Sequence, residues 1–192
     1  METLLQIWGG ACYLLNKICF SRAERSADRV ANRTWRLWSW GVFLAGLPAW
    51  VTVFVMEHNW IAAAVESGGV PAMLIGYIIA LRGHGREPRW LDWLARFSVV
   101  GGLGASLYEF GGITTLNQIL ELCIAAGFLM GTYLMAKDSI RGYHWLMLGN
   151  VSCAALMGIQ EYWILAAQQL ASLIFVVDAC RTRRRTTDEP KG

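Results

Sequence analysis

The sequence predicts an all-α, polytopic membrane protein: seven transmembrane helices built as two parallel three-helix repeats joined by a linker helix. Three observations predict it. Of the 192 residues, 55% are apolar and only 16% charged, where soluble domains carry about 25% charged residues. Long apolar runs recur seven times, separated by short polar stretches. All 17 Lys and Arg residues fall on one side of the alternation that seven crossings impose.

The runs cover residues 4–20, 38–56, 60–81, 94–112, 114–136, 143–160 and 162–180. Each comes near the roughly 20 residues that a helix needs to cross the hydrocarbon core. The first, in "METLLQIWGGACYLLNKICF", begins with an acid and has its basic residues behind it, the reverse of a cleavable signal. The second follows the basic loop "SRAERSADRVANRTWR". The third contains "SGGVP", where Pro71 cannot donate to the helix ladder and predicts a bend. The fourth, sixth and seventh are the least hydrophobic. The seventh leads into the tail "RTRRRTTDEPKG", whose composition predicts disorder over 182–192.

Charge sets the orientation. Basic residues occupy 21–37, 82–93, 137–142 and the tail, with Lys17 and Arg96 at adjoining span ends; the opposite side holds Glu2, Glu57 and Glu161 and no Lys or Arg. The positive-inside rule then places the N-terminus outside and the tail in the cytoplasm. For the same reason we read the basic stretches as topology signals facing anionic headgroups, not as nucleic-acid contacts.

Several functions are excluded. Cys12, Cys19, Cys123, Cys153 and Cys180 form no CxxC and are widely scattered, as packing residues are, and no His has ligand company. There is no HExxH, GxSxG or paired-His signature, so no enzyme, cofactor or metal site is expected. A retinal protein needs a lysine in its last helix, and 162–180 has none.

An internal repeat organises the chain. At an offset of 103 residues "NWIAAAVES" (59–67) lies over "YWILAAQQL" (162–170), Gly46 over Gly149, Glu57 over Gln160 and Glu66 over Gln169. At an offset of 115, "TLLQIWGGACYLL" lies over "QILELCIAAGFLM", setting Gln6 on Glu121. The expected units are a first repeat (1–81), a linker loop and helix (82–113), a second repeat (114–181) and the tail (182–192). An odd linker helix makes the repeats parallel, an arrangement of transporters that bind substrate between the halves.

The candidate substrate residues are the polar and aromatic side chains of these spans. Asn150, Gln160, Gln168 and Gln169 each offer a donor and an acceptor, and Trp145, Trp163 and Trp60 offer flat faces for stacking a ring. With no fixed positive charge nearby, such a set suits a neutral or cationic ring compound. Amides in membrane helices also serve simply as interhelical glue, the rival reading. Glu66 and Glu121 are the acidic residues near mid-membrane, where ionisable groups mark functional sites. Most of the remaining tryptophans are expected at the interfacial belt.

Asn150, Gln160, Trp163 and Gln168 follow N-x9-Q-x2-[YW]-x4-[EQ], which resembles the second half of PnuC-type vitamin transporters. The 3+1+3 layout with a basic tail is similar to that family, whose fold is like that of the SWEET sugar transporters. The first half departs from the pattern, with Gly46 and Glu57 where amides are expected. The basic first loop and the short length also resemble an inner-membrane family typified by YgjV. The resemblance implies a bacterial inner-membrane protein that moves nicotinamide riboside, or a related vitamin or nucleoside, by facilitated diffusion, with a cytoplasmic kinase trapping the cargo and a homo-oligomeric assembly. The alternatives are a carrier of the same fold with another cargo such as a sugar, and a non-transporting integral-membrane assembly or regulatory protein.

Overall fold

The computed structural model describes residues 2–58, 60–109 and 115–188. Asn59, the expected turn at 111–114 and the last four residues of the tail lie outside them. The described residues form eight helices and no strand: α1 (Glu2–Arg25), α2 (Arg29–Met56), α3 (Trp60–Gly68), α4 (Val70–Arg82), α5 (Arg89–Glu109), α6 (Leu116–Ala136), α7 (Arg141–Ile159) and α8 (Trp163–Asp188). The expected spans fall largely on helices, the third on two of them, while residues 110–112 of the fourth and 114 of the fifth lie outside the described residues. Four stretches, Arg29–Met56, Ala62–Arg82, Leu116–Ala136 and Trp163–Thr186, are long and apolar enough to cross a membrane by length and composition.

Local chemistry places the helix ends. Asp28 caps α2 by accepting from the Val30 and Ala31 amides, and Thr115 and Gln118 form a reciprocal capping box at the start of α6. The third apolar run divides at Gly69, one residue before Val70 and two before Pro71. The Gly69 amide falls back on the Glu66 carbonyl in a tighter turn. Two expectations are corrected. The basic stretch 21–37 is almost wholly helical, with only residues 26–28 between α1 and α2. The expected disordered tail is helical as far as Asp188, because Arg183 is bound to Glu24 and Asp138 and holds the helix against the bundle.

Six of the helical rods close into a ring. The order around it is α1, α2, α3/α4, α6, α7, α8 and back to α1, with α5 outside against α3, α4 and α6. Rods opposite one another in the ring have no backbone contact. Exchanging α1 with α6, α2 with α7 and α3/α4 with α8 maps the ring onto itself.

That exchange extends to single residues. The buried positions of α2 are Ser39, Trp40, Phe43, Gly46, Ala49 and Val53. Moved by 103 they become Gly142, Tyr143, Leu146, Gly149, Ser152 and Leu156, all buried in α7. The helix crossings match as well: a Cβ on Gly46 would stand 2.6 Å from Cys12, and one on Gly127 would stand 2.5 Å from Gly149. Gly46 and Gly149 are related by 103, Cys12 and Gly127 by 115. Even the turns agree, since Glu57 and Gln160 are C-caps and are followed by His58 and Glu161 at φ 57° and 64°.

The basic loops gather at one end, and there the ring is filled. Phe20, Trp40, Phe43, Met73, Ile75, Met135, Tyr143, Leu146 and Val176 form a continuous core. Trp40, expected at the interfacial belt, is only 2% exposed. It meets Phe20 edge-on at 5.1 Å and lies flat on Gly76, where any side chain would collide with the indole.

Candidate functional site

Polar groups inside the ring come mainly from α1. Tyr13, Asn16 and Lys17 recur at helical spacing and share a face. The Tyr13 hydroxyl donates to Glu66 Oε2 at 2.5 Å. Because α1 and α3 are not backbone neighbours, this bond reaches across the interior of the ring. Lys17, one turn further, is 6% exposed with its Nζ 5.1 Å from the centre of the Phe43 ring, and it interacts electrostatically with Glu66. A buried lysine therefore stands close to the carboxyl, a residue that the sequence reading did not place in the site.

Two buried amides complete the set. Asn16 Nδ2 donates to the Ser39 carbonyl at 3.0 Å and to Ser39 Oγ at 2.9 Å. Asn150 Nδ2 donates to Leu146 O, one turn back in its own helix, at 2.6 Å. In both residues Oδ1 is buried without a hydrogen-bond partner, and the buried Trp50 Nε1 has none either. Leaving such an atom unpaired costs about 1–3 kcal/mol. Arg36 Nε and Glu87 Oε2 are likewise buried without a partner, so unpaired polar atoms occur at the basic end as well as in the interior.

Of the nine residues expected at the site, the structure buries Asn150 and holds the half-buried Glu66 on Tyr13 across the ring. Gln168 spends its amide on the seam between α8 and α1, donating to Gly10 O at 3.1 Å. Gln160 is exposed at the C-cap of α7, and Trp60 and Trp163 project outward at the starts of α3 and α8, 62% and 68% exposed. Gln169 and Trp145 are half-buried, the latter near the basic end of α7. Glu121, expected at mid-membrane, is half-buried only six residues beyond the cap of α6. Asn150, Gln160 and Gln168 do not bond one another among the described residues.

Sequence reasoning missed Tyr13, Asn16 and Lys17. The signal was present as a polar stripe within an apolar run, but Lys17 was grouped with the basic span ends. It missed a second feature whose parts are far apart in the chain. Glu24, Arg36, Asp138 and Arg183 close a square of alternating charge over the basic end of the ring. Arg36 binds Glu24 at 2.8 Å and Asp138 at 2.7 Å, and Arg183 binds them at 3.4 and 2.9 Å. Tyr143 donates to Glu24 at 2.9 Å from α7, again across the ring. Burial opposes ionisation of Asp138, but Arg36 and Arg183 outweigh it and hold the carboxyl below its ordinary range.

Two cavities open elsewhere. One of about 470 Å³ is apolar, lined by α7 and α8 from Val151 to Leu170, and includes Trp163. The other, about 880 Å³, lies at the basic end. Among the described residues no cluster of His, Cys, Asp or Glu could hold a metal ion. Compared with protein-family models, curated proteins and solved structures, the chain gives no match.

Proposed function

We propose that the chain is a membrane carrier that moves a small polar ring compound through the centre of the helix ring. All seven rods cross the bilayer in this reading, with the first residues outside and the basic end in the cytoplasm. The two halves, α1 to α4 and α6 to α8, are three-helix repeats that rock against each other about the polar interior. The residue-by-residue match between α2 and α7 supports the duplication. The ion-pair square is the closed cytoplasmic gate, since its members come from both halves.

The observation that carries the proposal is the Tyr13–Glu66 hydrogen bond across the ring, with Lys17 near it and unpaired oxygens on the buried Asn16 and Asn150. A structural protein gains nothing from unpaired buried amides, whereas a carrier needs groups that exchange partners as cargo passes. Acceptors, a phenol, a carboxyl and an amine together suit an uncharged or zwitterionic compound with amide and hydroxyl groups. The PnuC-like pattern in the second half leads us to nicotinamide riboside, and related vitamins and nucleosides, as the class to test. Transport is by facilitated diffusion, with a cytoplasmic kinase consuming the cargo.

Purified protein in liposomes should take up a labelled member of this class saturably and without an imposed ion gradient. The same compound should quench the protein's tryptophan fluorescence. A panel of vitamins, nucleosides and sugars that produced neither quenching nor uptake would overturn the reading and leave the non-transporting assembly protein as its successor.

A further inference from the structure

The cavity at the basic end is ringed by guanidinium groups from separate parts of the chain. Arg29 and Arg33 stand at the start of α2, Arg82 at the end of α4, and Arg86 in the loop beyond it, with Arg36 and Arg183 at the cavity floor. The floor pair is neutralised, because Arg36 and Arg183 are shared between Glu24 and Asp138. The other four are not. Arg33 turns its donors onto the carbonyls of Ala80 and Leu81 at the end of α4, which anchors it without cancelling its charge. Arg29, Arg82 and Arg86 make no ion pair among the described residues.

Arg29, Arg33, Arg82 and Arg86 are solvent-exposed, yet they line one hollow and do not fan out from separate loops. Gly83 and Gly85, at φ 91° and 81°, reverse the backbone beyond α4 in the left-handed region that glycine adopts freely, so that Arg82 and Arg86 both line the cavity. Like charges held around one concavity repel unless an anion sits among them. Guanidinium forks match phosphate oxygens in geometry as well as charge. The volume, about 880 Å³, is much larger than a free phosphate ion and accommodates a phosphate carried on a larger group.

We infer that this cavity is a binding site for a phosphate-bearing anion, held by Arg29, Arg33, Arg82 and Arg86. Basic pockets between helices on the cytoplasmic side are suited to acidic lipid headgroups, and a soluble phosphate offers the same oxygens. The site is separate from the polar interior and does not depend on the chain being a carrier.

The full chain, purified in a neutral detergent, is titrated at constant ionic strength with phosphatidylglycerol, with phosphatidylcholine, and with inorganic phosphate, and its melting temperature is followed. Saturable stabilisation by phosphatidylglycerol but not phosphatidylcholine supports a lipid headgroup; saturable stabilisation by inorganic phosphate supports a soluble phosphate. In either case the double variant R82Q/R86Q should need roughly 30-fold more of the same anion, since each basic group near an anionic surface is worth about one kcal/mol. R29Q gives an independent second test and should also weaken binding. No stabilisation by either anion, equal stabilisation by phosphatidylcholine, or an unchanged response in R82Q/R86Q and R29Q would overturn the site.

Discussion

At the residue scale, the interior separates side chains that complete the packing from those that leave it unfinished. Asn150 is the clearest of the second kind, because its carbonyl oxygen is buried and unpaired. Asn150→Leu removes that oxygen at similar volume. The expected outcome is a melting temperature equal to or above the parent's, with cargo binding weaker by about 1–3 kcal/mol, as measured by tryptophan quenching. A lowered melting temperature with normal binding would make Asn150 a structural residue. Lys17 and Glu66 test the opposite case. If Lys17 and Glu66 act as a pair, removing one strands the other, so Lys17→Met and Glu66→Gln singly should each lower stability by about 1–3 kcal/mol, while the double variant recovers most of the loss. Additive losses in a chemical-denaturation cycle would show that the two groups do not act as a pair.

At the scale of elements, close crossings and the charge square make separate demands. A methyl on Gly127 would meet the backbone of Gly149 at 2.5 Å, and backbone cannot yield as a flexible side chain can. Gly127→Ala should therefore separate α6 from α7 and cost about 1–3 kcal/mol. On the outer helix α5 a Cβ at Gly101 meets nothing within 4 Å. Gly101→Ala should be neutral or stabilising by up to about 1 kcal/mol, and comparison of the two melting temperatures checks the crossing. The square carries a pH dependence of known sign. A carboxyl whose folded pKa is depressed contributes stability above its unfolded value and loses it as pH falls through the folded value. With an unfolded value of about 3.9 for aspartate, Asp138 should keep Arg36 and Arg183 bound throughout neutral pH and release them only in acid, below about pH 4. Asp138→Asn should remove that acid-side transition and loosen the basic end at neutral pH, seen as faster amide exchange in residues 137–142.

At the scale of the whole molecule, orientation is the property most directly open to test. In the proposed orientation, with the N-terminus outside, a cytoplasmic-active reporter fused after the last residue should function there. In a chain freed of its five native cysteines, a cysteine at Glu57 should react with an impermeant reagent applied outside, and one at Arg86 should not. Both positions are solvent-exposed in the bundle, so a failure to label reports the membrane side and not burial. Labelling of Arg86→Cys from outside would overturn the orientation.

Much of the element pattern was legible in the chain because its cause is local. Apolar runs of bilayer length, Pro71 after two glycines, and Asp28 and Thr115 at helix starts act through neighbours in sequence, and each marks where a helix begins, breaks or ends. Gly46 and Gly149, which the offset of 103 aligns in the sequence, both stand at close helix crossings. The interior was not legible. Lys17 has the sequence signature of a topology charge at a span end, and only the continuation of α1 to Arg25 and the closure of the ring turn it inward toward Glu66. Gln160 and Trp163 carry the most suggestive pattern in the sequence, yet they sit at a helix cap and on an outer face. The charge square joins residues more than a hundred positions apart. Sequence alone determined helix and the four stretches long and apolar enough to cross a membrane, because these are sums over adjacent residues. Which polar groups share an interior, and which ion pairs close it, was decided only by tertiary structure, because a helix has a full circle of faces and packing selects the one that turns inward.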